Sequence, residues 1–343
     1  MRYLRIAVVF AALGMICDST VSADSTVTEA KQIRAAIAKA IPLLEKGGAG
    51  SADKRTCFTC HNQAVPILAL AEAKSHGFTL DEKNLTRQLE HTAAHLKRGY
   101  KNYLESRGQG GGVITAGYAL WALEAGGWKS NDVTTAAAGY LVENQKALGH
   151  WKQPSKRPPS SGSEFMTTYV ALRGLAAFGT SSQQEKTDAR KEAAKKWLLE
   201  TMPSDNEDRV FRLRALTYVQ AQKEKVQQAA ANLLDAQRDD GGWAQTSELK
   251  SDAYATATAL VALRRAGNTA SDHPAIQRGI KYVLDTQLED GSWHVTTRAK
   301  PFQTYFETGF PHKKDQFISI AASSWATLAL LLSLPVAPLP VAP

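Results

Sequence analysis

The segment Cys57-Phe58-Thr59-Cys60-His61 carries the sharpest chemical pattern in the chain. In an exported protein, two thiols three apart followed at once by histidine match covalent attachment of c-type haem. The thiols reach the two haem vinyl groups as thioethers, and the adjacent imidazole becomes the proximal iron ligand. On this reading Cys57 and Cys60 hold haem c and His61 binds its iron. A Cys57–Cys60 disulfide or dithiol redox pair is the alternative, and half of a zinc site is a third reading. Zinc needs further Cys or His ligands, and Cys17 is the only other cysteine. Distal-ligand candidates are Met166, Met202, His76, His91, His95, His150, His294 and His312. His312 is preferred, because it lies in a long aromatic segment able to fold back over one end of the molecule. His91 and His95 stand at i and i+4, on one helical face, where solvation is the commoner explanation.

The amino terminus supplies the export signal that this chemistry needs. Arg2 and Arg5 precede an apolar run from Ile6 to Ile16, and Val21-Ser22-Ala23 is a small-residue cleavage site. Residues 1–23 therefore read as a signal peptide, which places the mature chain in the periplasm or the secreted fraction. Removing Arg2, Arg5 and Asp18 from a net charge of +8 leaves +7. The basic residues are scattered, with no aromatic-interleaved block, which argues against nucleic acid as a partner. Once Cys17 leaves with the signal, Cys57 and Cys60 are one local device and not a scaffold of disulfides.

The elements that must position this device are helical and repeated. Gln precedes Trp by six residues three times, at Gln145/Trp151, Gln237/Trp243 and Gln287/Trp293. The second and third copies lie fifty apart, and the larger gap before them leaves room for a degenerate copy near Trp197. A period near fifty residues marks a repeat architecture. Each motif closes one helix, turns at glycine and leads into a helix apolar on most faces: Gly117 to Leu123, Met166 to Ala177, Ala253 to Leu263 and Ile320 to Leu332. Helices apolar all round are buried, so each repeat pairs an amphipathic outer helix with a buried inner one. The expected organisation is a helical segment over 24–105 (a helix at about 29–46, the cysteine motif, then a helix from Val65 to His76), repeats over 106–335, and a tail over 336–343. The apolar run Ile318 to Leu334 contains Ser319, Ser323 and Ser324 and stops at Pro335, which fits a core helix and leaves no stable membrane span after signal cleavage.

The second and third motifs, Gln-x-x-Asp-Gly-Gly/Ser-Trp, resemble the QW repeat of squalene-hopene cyclases and of the protein prenyltransferase-like α/α-toroids. The resemblance covers roughly residues 110–335 and implies an all-α fold, paired helices closed into a ring. It also resembles, in layout, exported toroids that join a C-x-x-C-H segment to such repeats. Hopene cyclases carry an Asp-x-Asp-Asp-Thr-Ala motif whose middle Asp protonates the polyene. Here the comparable inner-helix start, Ser251-Asp252-Ala253-Tyr254, keeps only Asp252, and Glu164 stands at the matching place of an earlier repeat. Asp205-Asn206-Glu207-Asp208 is a loose echo, but Arg209 follows and Thr-Ala is absent. Asp252 and Glu164 are thus the candidate catalytic acids, and a lone acid at a helix start is more often a cap. The prenyltransferase zinc site is not matched, since both mature cysteines lie upstream of the repeats.

Trp121, Tyr169, Tyr254 and Trp325 lie on inner helices and are candidates to line a cavity. The segment His294 to Phe317 carries Phe302, Tyr305, Phe306, Phe310 and Phe317, and a connection this long is commonly a lid or binding loop. Two functions follow as expectations. One is an exported haem-binding toroid engaged in electron transfer or redox-linked binding with a periplasmic redox partner. The other is a terpenoid cyclase-like enzyme, or a toroid that binds an apolar lipid or isoprenoid, with Cys57 and Cys60 as a structural disulfide.

Overall fold

The computed structural model describes residues 19–153, 157–301 and 303–334. Residues 1–18 of the expected signal peptide, the expected tail 336–343 and Phe302 lie outside them. Thirteen α-helices run along the described chain: α1 (Ser19–Lys54), α2 (Val65–Ser75), α3 (Glu82–Arg98), α4 (Tyr100–Leu104), α5 (Gly112–Ala125), α6 (Asp132–Glu143), α7 (Glu164–Phe178), α8 (Gln184–Glu200), α9 (Asn206–Tyr218), α10 (Lys223–Leu234), α11 (Ala253–Arg265), α12 (Pro274–Asp285) and α13 (Gln316–Leu331). A π-helical turn, Cys60–Ala64, heads α2. No strand occurs among the described residues, only isolated bridges at Arg157/Ser161 and Ala244/Ser251.

Six inner helices pack side by side in the cyclic order α2, α5, α7, α9, α11, α13, and α13 returns to α2. The others lie outside them. Burial explains the division. Helices α5, α11 and α13 are buried on nearly every face, while α12 buries only the stripe Ala275, Ile276, Gly279, Ile280 and Val283. The expected all-α toroid is therefore the observed fold. Helix α13 is sixteen residues long, and no described helix is long and apolar enough to cross a membrane.

The three Gln–Trp motifs are equivalent in detail. Trp151, Trp243 and Trp293 are fully buried. Each indole N–H donates over 2.7 Å to the carbonyl ten residues earlier, at Leu141, Leu233 and Val283. Each tryptophan backbone N–H donates to a hydroxyl of the next inner helix, Thr168, Thr256 or Ser323. The glutamine side chains bridge to a neighbouring outer helix: Gln145 to Arg190 O, Gln237 to Ala275 O and Gln287 to Ala36 O. Gly149, Gly241 and Gly291 have φ of 97°, 82° and 92°. A Cβ there would meet the carbonyl oxygens of Ala193, Arg278 and Lys39 at 2.2, 2.7 and 2.6 Å, so both the backbone and the close helix approach require glycine. Trp197 is not a fourth copy. It lies on outer helix α8 and packs on His150 and Phe165, at 5.0 and 4.6 Å between ring centroids.

The separation at residue 105 is corrected by the same bonds. The bond from Gln287 to Ala36 joins the last repeat to α1, and α2 fills the place between α13 and α5. The first hundred residues thus supply one outer–inner pair, α1 and α2, and the outer helix α3 of the next, and are not an appended segment. Helix α1 also begins at Ser19, ten residues before the expected start, and so runs through the expected cleavage site at Ala23.

Candidate functional site

Every connection from an outer to the following inner helix lies at one end of the ring, because all pairs run the same way. This rim carries the expected site residues. Its first connection holds the cysteine motif, in the place that Gln–Trp turns occupy elsewhere. The Thr59 hydroxyl caps the π-helical turn by accepting from Asn62 N, while Gln63 Oε1 accepts from Thr59 N and Oγ1 at 2.9 and 2.8 Å. From this anchored turn the three functional side chains diverge. The Cys60 Sγ lies 4.0 Å from Ser161 Oγ, and burial raises its thiol pKa. His61 stands edge-on to Phe317 at 5.3 Å. Burial, and then the nearby Arg157, push its imidazole down to about 3, so it is neutral. Cys57 is exposed, and both thiols are free. Helix α3 braces the far side: His91 Nε2 lies 3.3 Å from Cys57 O, and His95 packs on the buried Phe58.

His61 opens on a cavity of about 470 Å3. Phe317, Ile318, Pro158, Ala299 and Pro301 give it an apolar wall, and Arg157, Lys300 and Lys314 reach it from the connections before α7 and α13. The aromatic segment after Trp293 therefore does form one wall of a pocket at the rim. Tyr305 lines that wall, and its neighbour Phe306 packs on Phe317 at 5.4 Å.

His312 is not brought to His61. Its Nε2 bonds Ser292 Oγ at 2.7 Å, its ring stacks on His294 at 4.7 Å, and it does not line the cavity. Its φ of 81° turns the backbone toward the last Gln–Trp motif instead. Among the described residues no group of three or more His, Cys, Asp or Glu side chains is arranged to hold a metal ion.

The two candidate acids serve the helix starts. Asp252 caps α11, accepting from Ala255 N and Gln245 Nε2 at 2.9 Å each. Burial raises its pKa. Glu164 is one residue past the cap of α7, which is Ser163, and its partly exposed carboxylate faces His150 Nε2 at 3.4 Å. The acid that sequence reasoning set aside is Glu207, in the first turn of α9. It is 5% exposed, and the Tyr254 hydroxyl donates to it at 2.9 Å. Burial raises its pKa well above the ordinary carboxylate value, with Asp205 and Asp208 adding to the rise. It does not line the main cavity. Pro159 stands beside Glu207 while its neighbour Pro158 lines the cavity, so a tight turn separates acid from pocket.

Inside the ring, side chains of the inner helices meet. Trp121, Tyr169 and Trp325 face one another with Phe211, as expected for inner-helix aromatics, but they enclose the guanidinium of Arg214. Its Cζ lies 4.9, 4.5, 5.3 and 5.3 Å from the rings of Trp121, Tyr169, Phe211 and Trp325. Arg214 Nη2 and Arg173 Nη1 both donate to the Tyr169 hydroxyl, at 3.0 and 3.2 Å, and Arg173 pairs with Glu124. Cation–π contacts of this buried kind are the strong ones. Arg214 belongs to the run Arg209-Val210-Phe211-Arg212-Leu213-Arg214. That run reads as a charged outer face, and only knowing that α9 is an inner helix would single Arg214 out.

Comparison with known proteins places this geometry. Residues 206–331, covering α9 to α13, match the squalene-hopene cyclase C-terminal domain family. No curated protein matches the chain. Among solved structures, a variant of the type II terpene cyclase MstE from Scytonema in complex with its product merosterolic acid A is 14% identical. The match covers 91% of this chain and 99% of that one, with a TM-score of 0.57. A second MstE variant, in complex with its substrate geranylgeranyl dihydroxybenzoate, is 13% identical over 91% of this chain and 100% of that one, with a TM-score of 0.53. Residues 206–331 are thus similar to the squalene-hopene cyclase C-terminal domain, and the ring that the chain closes has the fold of the type II terpene cyclases.

Proposed function

We propose that this is an exported, terpenoid cyclase-like toroid that binds an apolar isoprenoid in the rim cavity. The observation that carries the proposal is the division of space: four aromatic rings enclose Arg214 in the bore, while a largely apolar cavity of about 470 Å3 opens at the rim. Pockets of this size and lining suit small apolar ligands, and both similar structures hold isoprenoid molecules. Isothermal titration with farnesol tests it. At about 0.3 kcal/mol per heavy atom the affinity should be a few hundred micromolar. Ser161→Trp, which projects an indole into the cavity, is expected to abolish the heat of binding without lowering the melting temperature. An unchanged isotherm in that variant would place the ligand elsewhere and end the proposal.

A second reading rests on the cysteine motif, and the residues fit it in part. Both thiols are free and the neutral His61 faces the cavity, whereas Cys57 stands exposed outside the cavity wall. Here Cys57 and Cys60 would hold haem covalently, with His61 on the iron, and haem would supply one-electron chemistry toward a periplasmic redox partner. Export alongside the cytochrome maturation machinery should then give a mature chain heavier by one haem, and Cys57→Ser with Cys60→Ser should abolish the increment. An unmodified mass, or one short by the two hydrogens of a disulfide, would eliminate the haem reading and leave the isoprenoid reading standing.

A further inference from the structure

We infer that the bore binds a monatomic anion, a halide such as chloride, among Arg214, Tyr118 and Trp325. The site lies apart from the rim cavity and depends on neither reading of it. Three buried donors lack an acceptor among the described residues: Arg214 Nη1, the Tyr118 hydroxyl and the Trp325 indole Nε1. Each of these residues is at most 3% exposed. They stand on α9, α5 and α13, which are alternate members of the ring, so side chains that meet between them meet on its axis. Trp121 holds them to one place. Its ring lies 5.8 Å from that of Tyr118, 6.1 Å from that of Trp325 and 4.9 Å from Arg214 Cζ. Buried donors are nearly always paired, so three orphans around one ring call for a common acceptor.

Charge selects an anion over water as that acceptor. Arg173 pairs with Glu124 and Arg265 with Glu72, but no carboxylate pairs with Arg214 among the described residues. Glu207, two turns earlier on α9, accepts from Tyr254 instead. The Tyr169 oxygen is taken by Arg214 Nη2 and Arg173 Nη1, which leaves Nη1 of Arg214 to another partner. A buried guanidinium without a counter-charge is costly. Water could accept from these donors, but it would bring hydrogens that need acceptors of their own and would offset no charge. A halide accepts from every side and donates nothing. Rings spaced 5.4 to 6.1 Å from Trp121 suit a single atom better than a polyatomic head. Once bound, the ion offsets the guanidinium charge, and the halide-free chain keeps that charge in full.

Equilibrium urea unfolding of the full chain tests the site, with sodium chloride or bromide replacing sodium gluconate at constant ionic strength. The urea midpoint should rise with halide concentration, as linkage to a ligand of the folded state requires. Tyr118→Phe deletes one donor and keeps the ring. In gluconate it should unfold at the parent midpoint or above it, because a buried hydroxyl without a partner costs stability. In chloride it should need about tenfold more halide for the same rise, the effect of one hydrogen bond to a charge. Trp325→Phe loses packing in both salts, so its reading is the halide response alone, which should weaken likewise. Crystals soaked in bromide should show an anomalous peak between Arg214, Tyr118 and Trp325. A midpoint indifferent to the exchange of gluconate for chloride would overturn the inference and leave the three donors to water. A chloride response that survives Tyr118→Phe unchanged, or bromide found only outside the bore, would overturn it as well.

Discussion

Trp243→Ala is expected to lower the stability of the ring by about 3–5 kcal/mol, the usual cost of emptying a tryptophan site in a core. Trp243 is 0% exposed, and its indole packs where a Cβ on Gly279 would stand 3.0 Å away. Two losses coincide. The cavity forfeits dispersion contacts on all sides, and the Leu233 carbonyl, which accepts the indole N–H at 2.7 Å, loses that partner. A denaturant midpoint shift at constant slope reads the effect directly. Leu148→Ala, at a side chain 74% exposed on the same rim, should stay within about 0.5 kcal/mol. A Trp243→Ala loss below about 1 kcal/mol would show that the Gln–Trp turns decorate the ring without holding it.

A fragment spanning 106–335 should fail to fold, although it contains all three motifs. An open solenoid tolerates loss of its terminal repeats, because each repeat contacts only its neighbours. A closed ring does not. Removing α1 to α4 strips the apolar faces of α13 and α5 that α2 covers, and it deletes Ala36 O, the acceptor of Gln287. The fragment should bind a hydrophobic dye and melt without a cooperative transition, as a molten state does. A chain beginning at residue 24 should melt cooperatively. A sharp melt and native near-ultraviolet dichroism from the 106–335 fragment would contradict the ring closure described here.

Much of the scaffold is legible in the residues because its signals are local. A Gln–Trp spacing of six, a glycine at the turn and an apolar run after it are each set within about a dozen positions, and all three copies superimpose in their bonding. What escapes is set by closure. Nothing in the stretch around Ala36 announces that its carbonyl receives Gln287 from the other end of the chain. The inner helix α9 escapes as well, because Glu207, Asp208, Arg209, Arg212 and Arg214 give it the composition of a solvated helix. Its buried acid and buried cation are tolerated only where Tyr254 and four aromatic rings meet them, and of those partners all but Phe211 come from other repeats. His312 fails for the opposite reason: a histidine in an aromatic loop invites a ligand role, but Ser292 and His294 engage it locally.

The guanidinium within the aromatic cage has a consequence for where carbocation chemistry can run. Glu124 balances Arg173, whereas no salt bridge among the described residues pairs Arg214, whose positive charge sits among the rings. A carbocation resting on the far face of any of the four rings would lie within about 9 Å of it, and at an effective dielectric of about 20 the repulsion is about 2 kcal/mol. That is roughly a thirtyfold slowing of any step that develops such a charge in the bore. The rings that would stabilise a migrating positive centre are already saturated by a permanent one. The Arg214 side chain thereby acts as an electrostatic floor, which disfavours the growth of positive charge beside these four rings.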